Sequence, residues 1–163
     1  MVFNTPIDDR YFEDYVEGDI HSIGNIAVET EEVIAFARRF DPQSFHMDAE
    51  AARLSPFGGI IASGWHTAAL AMRLFVEHYL THVASLGSPG IDELRWLKPV
   101  RPGDTLSPRV TVLQAAGSRS KPDRGAVTSF VEVLNQADEM VMTFKCINII
   151  RRRPHAATIG LRS

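Results

Sequence analysis

The stretch GWHTAALAMRLFVEHYLTHV, residues 64–83, is the longest helical pattern in the chain and decides which folds are open to it. Its apolar side chains recur at helical spacing, namely at Trp65, Ala68, Ala69, Met72, Phe75, Val76, Tyr79 and Leu80. A helix of about five turns with so wide an apolar face must be covered by a large surface, and the rest of the chain supplies mainly strands.

The second half of the chain changes to a period of two. Apolar and polar residues alternate from Leu106 to Val112, and a similar rhythm returns in segments 126–134 and 140–150. Turn-forming sequences separate these segments, and one earlier strand is predicted around 20–28. Consecutive hairpins imply an antiparallel sheet, so the fold class is predicted to be α+β, with a long helix and about four strands after it.

Shorter helices are predicted between the first strand and the long helix. The first is expected to have Thr30 as its N-cap and to end before Pro42, whose ring disfavours helical geometry at Asp41. Asp48 is then predicted to cap a short helix that runs through Leu54. Asp41 is therefore expected where the backbone turns away from a helix end.

Composition excludes several classes of protein. With 163 residues, 45% hydrophobic and 23% charged, and no apolar run long enough to span a membrane, the chain is expected to be one soluble domain. The start, MVFNTPIDDR, does not have the pattern of a secretory signal, so the cytoplasm is expected.

A net charge of −3 argues against nucleic acid as a partner, and the basic run 151–153 is interpreted as a solvated terminus. The single cysteine, Cys146, allows no intrachain disulfide and is expected to be buried and inert.

Asp41 and His46 are the strongest candidates for chemistry. An aspartate and a histidine together can hold a water molecule and move protons near neutral pH. The alternative is structural, with Asp41 capping a turn and His46 hydrogen-bonded in the core. Gly64, at the start of the long helix, would add free N–H groups suited to a developing oxyanion.

Three stretches resemble the MaoC-like dehydratases, a hot-dog-fold family that includes the R-specific enoyl-CoA hydratases. They are FARRFDPQSFHMDAEAA (36–52), SPFGGIIASGWHTAAL (55–70) and LKPVRPGDTL (97–106). The resemblance extends from about Tyr11 to Arg153, so residues 1–163 are expected to form a single MaoC-like domain. Its most specific part is the motif Asp-x-Asn-Pro-x-His, which Asp41 and His46 meet with the right spacing, while Gln43 and Ser44 depart from it.

The resemblance implies a long helix wrapped by a curved antiparallel sheet, and a homodimer or a larger assembly of dimers. It implies an Asp41–His46 acid–base pair and a Gly64 N–H oxyanion donor that together hydrate a 2-enoyl-CoA reversibly to an R-3-hydroxyacyl-CoA, as in fatty acid metabolism. No metal or redox cofactor is expected, and coenzyme A enters only as part of the substrate. Two alternatives remain: a hot-dog acyl-CoA thioesterase, and a non-catalytic acyl-CoA-binding protein that has lost productive geometry through Gln43 and Ser44.

Further substrate contacts are predicted from sequence signals that are less specific than the Asp41–His46 motif. Basic residues near strand ends match the phosphates of coenzyme A, although soluble turns have the same composition. Two apolar residues of the long helix lie where an acyl chain would run, with core packing as the alternative. The predicted contacts are Ser63, Met72, Phe75, Lys98, Arg101, Arg119, Lys121 and Arg124.

The sequence does not support two other kinds of site. His78 and His82 have the spacing of metal ligands on a helix, but Tyr79 stands where a zinc protease has its glutamate, and no third ligand is evident. Ser63 lies in GIIASG, which lacks the G-x-S-x-G pattern of a serine hydrolase. Neither a metal site nor a serine nucleophile is therefore predicted.

Overall fold

The computed structural model describes residues 2–155. Two single-turn 3-10 helices at Ile7–Asp9 and Phe12–Asp14 precede the first strand. The helices are α1 (Thr30–Phe40), α2 (Ser44–Met47), α3 (Ala49–Leu54) and α4 (Gly64–His78). The strands are β1 (Ile20–Ser22), β2 (Ile26–Ala27), β3 (Gly90–Trp96), β4 (Thr105–Gly117), β5 (Arg124–Leu134) and β6 (Met140–Arg151). The predicted ends of the domain, Met1 and 156–163, lie outside the described residues.

A curved antiparallel sheet forms the frame of the molecule. Its strand order is β1-β4-β5-β6-β3, and β2 pairs with β4 beside β1. Strands β4, β5 and β6 are long and form consecutive hairpins, as the alternating pattern predicts. Strand β3 follows α4 and, among residues 2–155, pairs with β6 alone, so it forms one edge of the described sheet.

Helix α4 packs its apolar side against this sheet. Leu70, Leu74 and Phe75 are buried together with alternate residues of β4, β5 and β6. The apolar face read from the sequence is wider than the buried one, because Trp65, Met72 and Val76 are exposed. The sheet therefore covers only part of the face, and an apolar stripe of the helix stays on the surface.

The long helix is shorter than predicted. It ends at His78, although apolar residues continue at helical spacing to Val83. The buried Arg10 accounts for part of the difference, since its guanidinium donates hydrogen bonds to the carbonyl oxygens of His78 and Tyr79. These carbonyl groups have hydrogen-bond partners without a further helical turn, so the helix can end here at little cost in free energy.

The segment that precedes α4 is mostly as predicted. Helix α1 ends at Phe40 and Asp41 leaves it in a non-helical conformation, while the Asp48 side chain accepts hydrogen bonds from two N–H groups of α3. The predicted Thr30 cap is wrong: Thr30 is the first helical residue, and Glu29 precedes it without a side-chain cap. The single strand predicted over 20–28 is two short strands, interrupted where Gly24 has a φ of +81°.

Candidate active site

Asp41 and His46 come together at the end of α1 and in α2. The Nε2 atom of His46 lies 3.3 Å from Oδ2 of Asp41, and their side chains are 5% and 20% exposed. The Pro42 turn redirects the chain after α1, and the single turn of α2 then presents the imidazole back to the carboxylate. The two groups are thus within reach of one another and of a shared small molecule.

The hydrogen bonding of His46 fixes its tautomer. Its Nδ1 atom lies 2.6 Å from the carbonyl oxygen of Ile61. Because a carbonyl oxygen only accepts, Nδ1 carries a hydrogen and donates it. Nε2 is therefore the ring nitrogen that faces Asp41, and it is the atom that can exchange a proton with the carboxylate.

Asp41 is held ionised by its neighbours. Burial alone raises the pKa of this carboxyl group, but hydrogen bonds from Gln43 and Ser63 and the charge of His46 outweigh that effect, and the pKa lies below its ordinary value. Gln43 Nε2 donates to Oδ1 at 2.8 Å, and Ser63 Oγ donates to Oδ2 at 2.7 Å. Asp41 is therefore a carboxylate at neutral pH.

Ser63 and Gly64 connect this pair to the start of α4. Ser63 is the N-cap of the helix, and its Oγ accepts the Trp65 N–H while donating to Asp41. Gly64 is the first helical residue, and within residues 2–155 its N–H has no acceptor. A free N–H at the positive end of a helix of four turns is suited to an oxyanion.

A cavity of about 310 Å³ opens beside these groups. His46, Gly64, Thr67 and Lys98 supply its polar lining. The apolar lining comes from Phe57, Ile61, Ala62, Trp96, Leu97, Pro99 and Val100. The cavity therefore has His46, which contacts Asp41, and the helix start at Gly64 in its lining, and most of its other walls are apolar.

Lys98 and Arg101 lie near the cavity. Lys98 lines it and forms an ion pair with Glu139. Arg101 donates to the carbonyl oxygen of Phe57 at 2.6 Å, so it supports the loop that forms one wall. Both residues are exposed, and both stay predicted contacts for the phosphates of coenzyme A.

The other predicted contacts are not brought to the cavity. Arg119, Lys121 and Arg124 lie at the β4–β5 turn, at the far end of the sheet; the 11 residues of β5 span roughly 35 Å at about 3.3 Å each. Met72 is 37% exposed and Phe75 1% exposed, and neither lines the cavity. Phe75 belongs to the core between α4 and the sheet.

The sequence predicts no chemical role for His82 or Cys146. His82 contacts the Val76 carbonyl oxygen through Nε2 at 2.7 Å. Among residues 2–155, no three His, Cys, Asp or Glu side chains are arranged to hold a metal ion. Cys146 is buried, and burial raises the pKa of its thiol to about 12, so it is a poor nucleophile.

Three contributors to the site were not identified from the sequence. In the sequence Gln43 is only a departure from the motif, but in the structure it donates a hydrogen bond to Asp41. The Ile61 carbonyl oxygen, which orients His46, is a backbone atom that no pattern identifies. Trp96 reaches the site only through the pairing of β3 with β6, although its position just before LKPVRPGDTL could have drawn attention to it.

Comparisons with known proteins identify the fold and the family. A MaoC-like dehydratase from Rhodospirillum rubrum is 44% identical, with a TM-score of 0.82 over 89% of this chain and 99% of that one. The R-hydratase PhaJ1 from Pseudomonas aeruginosa is 22% identical, with a TM-score of 0.72 over 88% and 86%. A Mycobacterium tuberculosis protein described as having a double hotdog fold is 15% identical, with a TM-score of 0.76 over 93% and 47%.

The fold is thus a hot-dog fold, as the sequence predicted. The MaoC like domain matches residues 13–136, and the chain belongs to that family. The predicted family is therefore confirmed. Among residues 2–155, no helix is long and apolar enough to cross a membrane.

Proposed function

We propose that this protein catalyses the reversible addition of water to a 2-enoyl-CoA, giving an R-3-hydroxyacyl-CoA. The observation that carries the proposal is the Asp41–His46 pair beside a cavity that also contains the free Gly64 N–H. Membership of the MaoC-like family and structural likeness to an R-hydratase support the same reaction.

Proton transfer is assigned to the pair. A water molecule beside Asp41 and His46 loses one proton to the pair as its oxygen attacks C3 of the enoyl group. The pair delivers a proton to C2, so that one water is added in total. The 3.3 Å contact between His46 Nε2 and Asp41 Oδ2 allows a proton to move between the two groups and restore the starting state.

The Gly64 N–H is assigned to the thioester carbonyl. Attack at C3 places negative charge on that oxygen as an enolate forms, and a fixed donor with its helix dipole stabilises the charge. Mutational losses of such donors amount to about 10²–10³ in rate. Ser63 acts indirectly, because its hydroxyl joins Asp41 to the same helix start.

We further propose that the protein acts as a homodimer. Strand β3 is an exposed sheet edge, with Ile91 and Trp96 about half exposed, and a second copy pairing there would protect it. The exposed stripe of α4 formed by Trp65, Met72 and Val76 would supply further apolar surface to the same contact.

The test is the loss of enoyl-thioester absorbance with crotonyl-CoA and longer or branched enoyl-CoAs. Asp41→Asn and His46→Gln should each lower kcat/KM by about 10²–10⁴ without changing the melting temperature greatly. Full activity in both variants would refute the assignment of the pair. Release of free thiol would point instead to a thioesterase, and tight acyl-CoA binding without turnover to a binding protein.

A further inference from the structure

Trp96, at the end of β3, lies against the start of α4. Its indole packs directly on Gly64: a Cβ built at position 64 would come within 2.3 Å of the ring. Trp96 Nε1 also donates a hydrogen bond to the Gly64 carbonyl oxygen at 3.0 Å. The ring is therefore held at the start of α4 by both packing and a directed hydrogen bond.

The same ring forms part of the cavity wall. Trp96 lines the cavity and is 46% exposed, so one part of the ring faces the cavity and another faces outward. Trp65 braces it edge-on, with ring centroids 5.2 Å apart and an interplanar angle of 81°. Trp65 itself does not line the cavity.

The cavity that Trp96 bounds is small. Its volume of about 310 Å³ lies at the lower end of the roughly 300–1,000 Å³ of small-molecule pockets. A fixed aromatic wall cannot yield to a long chain without losing its hydrogen bond to Gly64. Each methylene group that does not fit a tight apolar pocket changes selectivity by about 10–200-fold.

We infer that Trp96 is a specificity-determining residue that restricts the site to short acyl thioesters. The inference rests on the proposed function for the identity of the ligand, and it concerns binding rather than proton transfer. Asp41 and His46 transfer the protons, while Trp96 limits the length of the acyl chain that can bind beside them.

The experiment measures binding by calorimetry with butyryl-CoA and octanoyl-CoA, which are saturated and cannot be hydrated. The wild-type protein should bind butyryl-CoA more tightly. Trp96→Ala should shift the ratio of the two Kd values toward octanoyl-CoA by about tenfold or more. Trp96→Leu, which keeps apolar contact with Gly64, should shift it less and guards against a variant that fails to fold.

Trp65→Phe is the matched control. It keeps an aromatic brace and should leave the Kd ratio unchanged. The chain has 2 tryptophans, so this variant also makes Trp96 the sole indole fluorophore. Butyryl-CoA should then change its emission.

Two outcomes separate this inference from the proposed reaction. If the wild-type protein hydrates crotonyl-CoA but the ratio is the same in wild type and both Trp96 variants, the role of Trp96 is overturned and the hydratase stands. If the ratio shifts but no enoyl-CoA is hydrated, the hydratase is overturned and the role of Trp96 stands. If neither acyl-CoA binds the wild-type protein, the inference fails.

Discussion

Gln43 donates its side-chain amide hydrogen to Oδ1 of Asp41 across 2.8 Å. This contact gives a role to a residue that departs from the family motif. Together with the Ser63 hydroxyl on Oδ2, it leaves both carboxylate oxygens hydrogen-bonded and favours the charged form of Asp41.

Replacement of Gln43 by Leu should change the pH profile more than the rate. The lost hydrogen bond raises the pKa of Asp41, so the acid limb of kcat/KM moves to higher pH. At neutral pH Asp41 stays ionised, and the rate should fall by less than about tenfold.

A pH series from weak acid to neutral measures this shift. Gln136→Leu is the control, because Gln136 makes an equivalent bond to Asp104 at 2.9 Å and does not line the cavity. An acid limb that does not move in Gln43→Leu would show that the amide does not act on Asp41.

Ser63→Ala should lower both stability and activity. The change removes the N-cap of α4 and the hydrogen bond to Asp41, and caps of this kind contribute about 0.5–2 kcal/mol to the free energy of unfolding. The lost bond also raises the pKa of Asp41, so the acid limb should again move to higher pH.

Chemical denaturation and kinetics on Asp48→Ala provide the comparison. Asp48 caps α3 in the same way, but it does not line the cavity. That variant should lose similar stability and keep its activity at temperatures where it is folded. Equal losses of activity in the two variants would mean that Ser63 matters only for folding.

Gly64→Ala should be inactive because the new Cβ would displace Trp96 and disturb the start of α4. Combining it with Trp96→Ala removes the obstacle and should restore part of the lost stability. Thermal melts of the two single variants and the double variant give the coupling between the positions.

Gly90→Ala is the control for this series, since a Cβ at Gly90 meets no atom within 4 Å. It should leave stability and activity near those of the wild type. A double variant as unstable as the sum of the two single ones would show that the packing of Trp96 on Gly64 is not the constraint.

Ile91→Lys should break the proposed dimer. Ile91 is 47% exposed on the edge strand β3, and a buried, unpaired lysine there would oppose association. Sedimentation velocity should show a shift from dimer to monomer. Leu113→Lys, at a residue 44% exposed on the interior strand β4, should stay dimeric. Dimers in both variants would place the contact elsewhere.

The sequence predicted features that depend on near neighbours in the chain. Pro42 predicted the end of α1 and the turn of the backbone at Asp41, and Asp48 predicted the cap of α3. The sequence did not predict features that depend on contacts between residues far apart in the chain. The end of α4 depends on Arg10, which lies 68 residues before His78 in the chain. Trp96 reaches Gly64 only because β3 pairs with β6 after the intervening loop.

The positions of the basic residues also depend on the fold and could not be predicted from composition. Arg119, Lys121 and Arg124 have suitable charge, but composition alone cannot say that a hairpin carries them to the far end of the sheet. Phe75 has helical spacing suited to either the core or a binding face, and its 1% exposure puts it in the core.

Asp41, His46, Ser63 and Gly64 all come from one continuous stretch of chain, whereas the wall formed by Trp96 to Val100 comes from a separate strand end. If the proposed roles hold, the proton-transferring groups and the Trp96 wall belong to different segments, although Phe57, Ile61 and Ala62 of the first segment also line the cavity. Under the proposed function, mutation could reshape the Trp96–Val100 wall and change which acyl groups enter without altering Asp41 or His46, so one lineage could acquire new substrates while its chemistry stays constant.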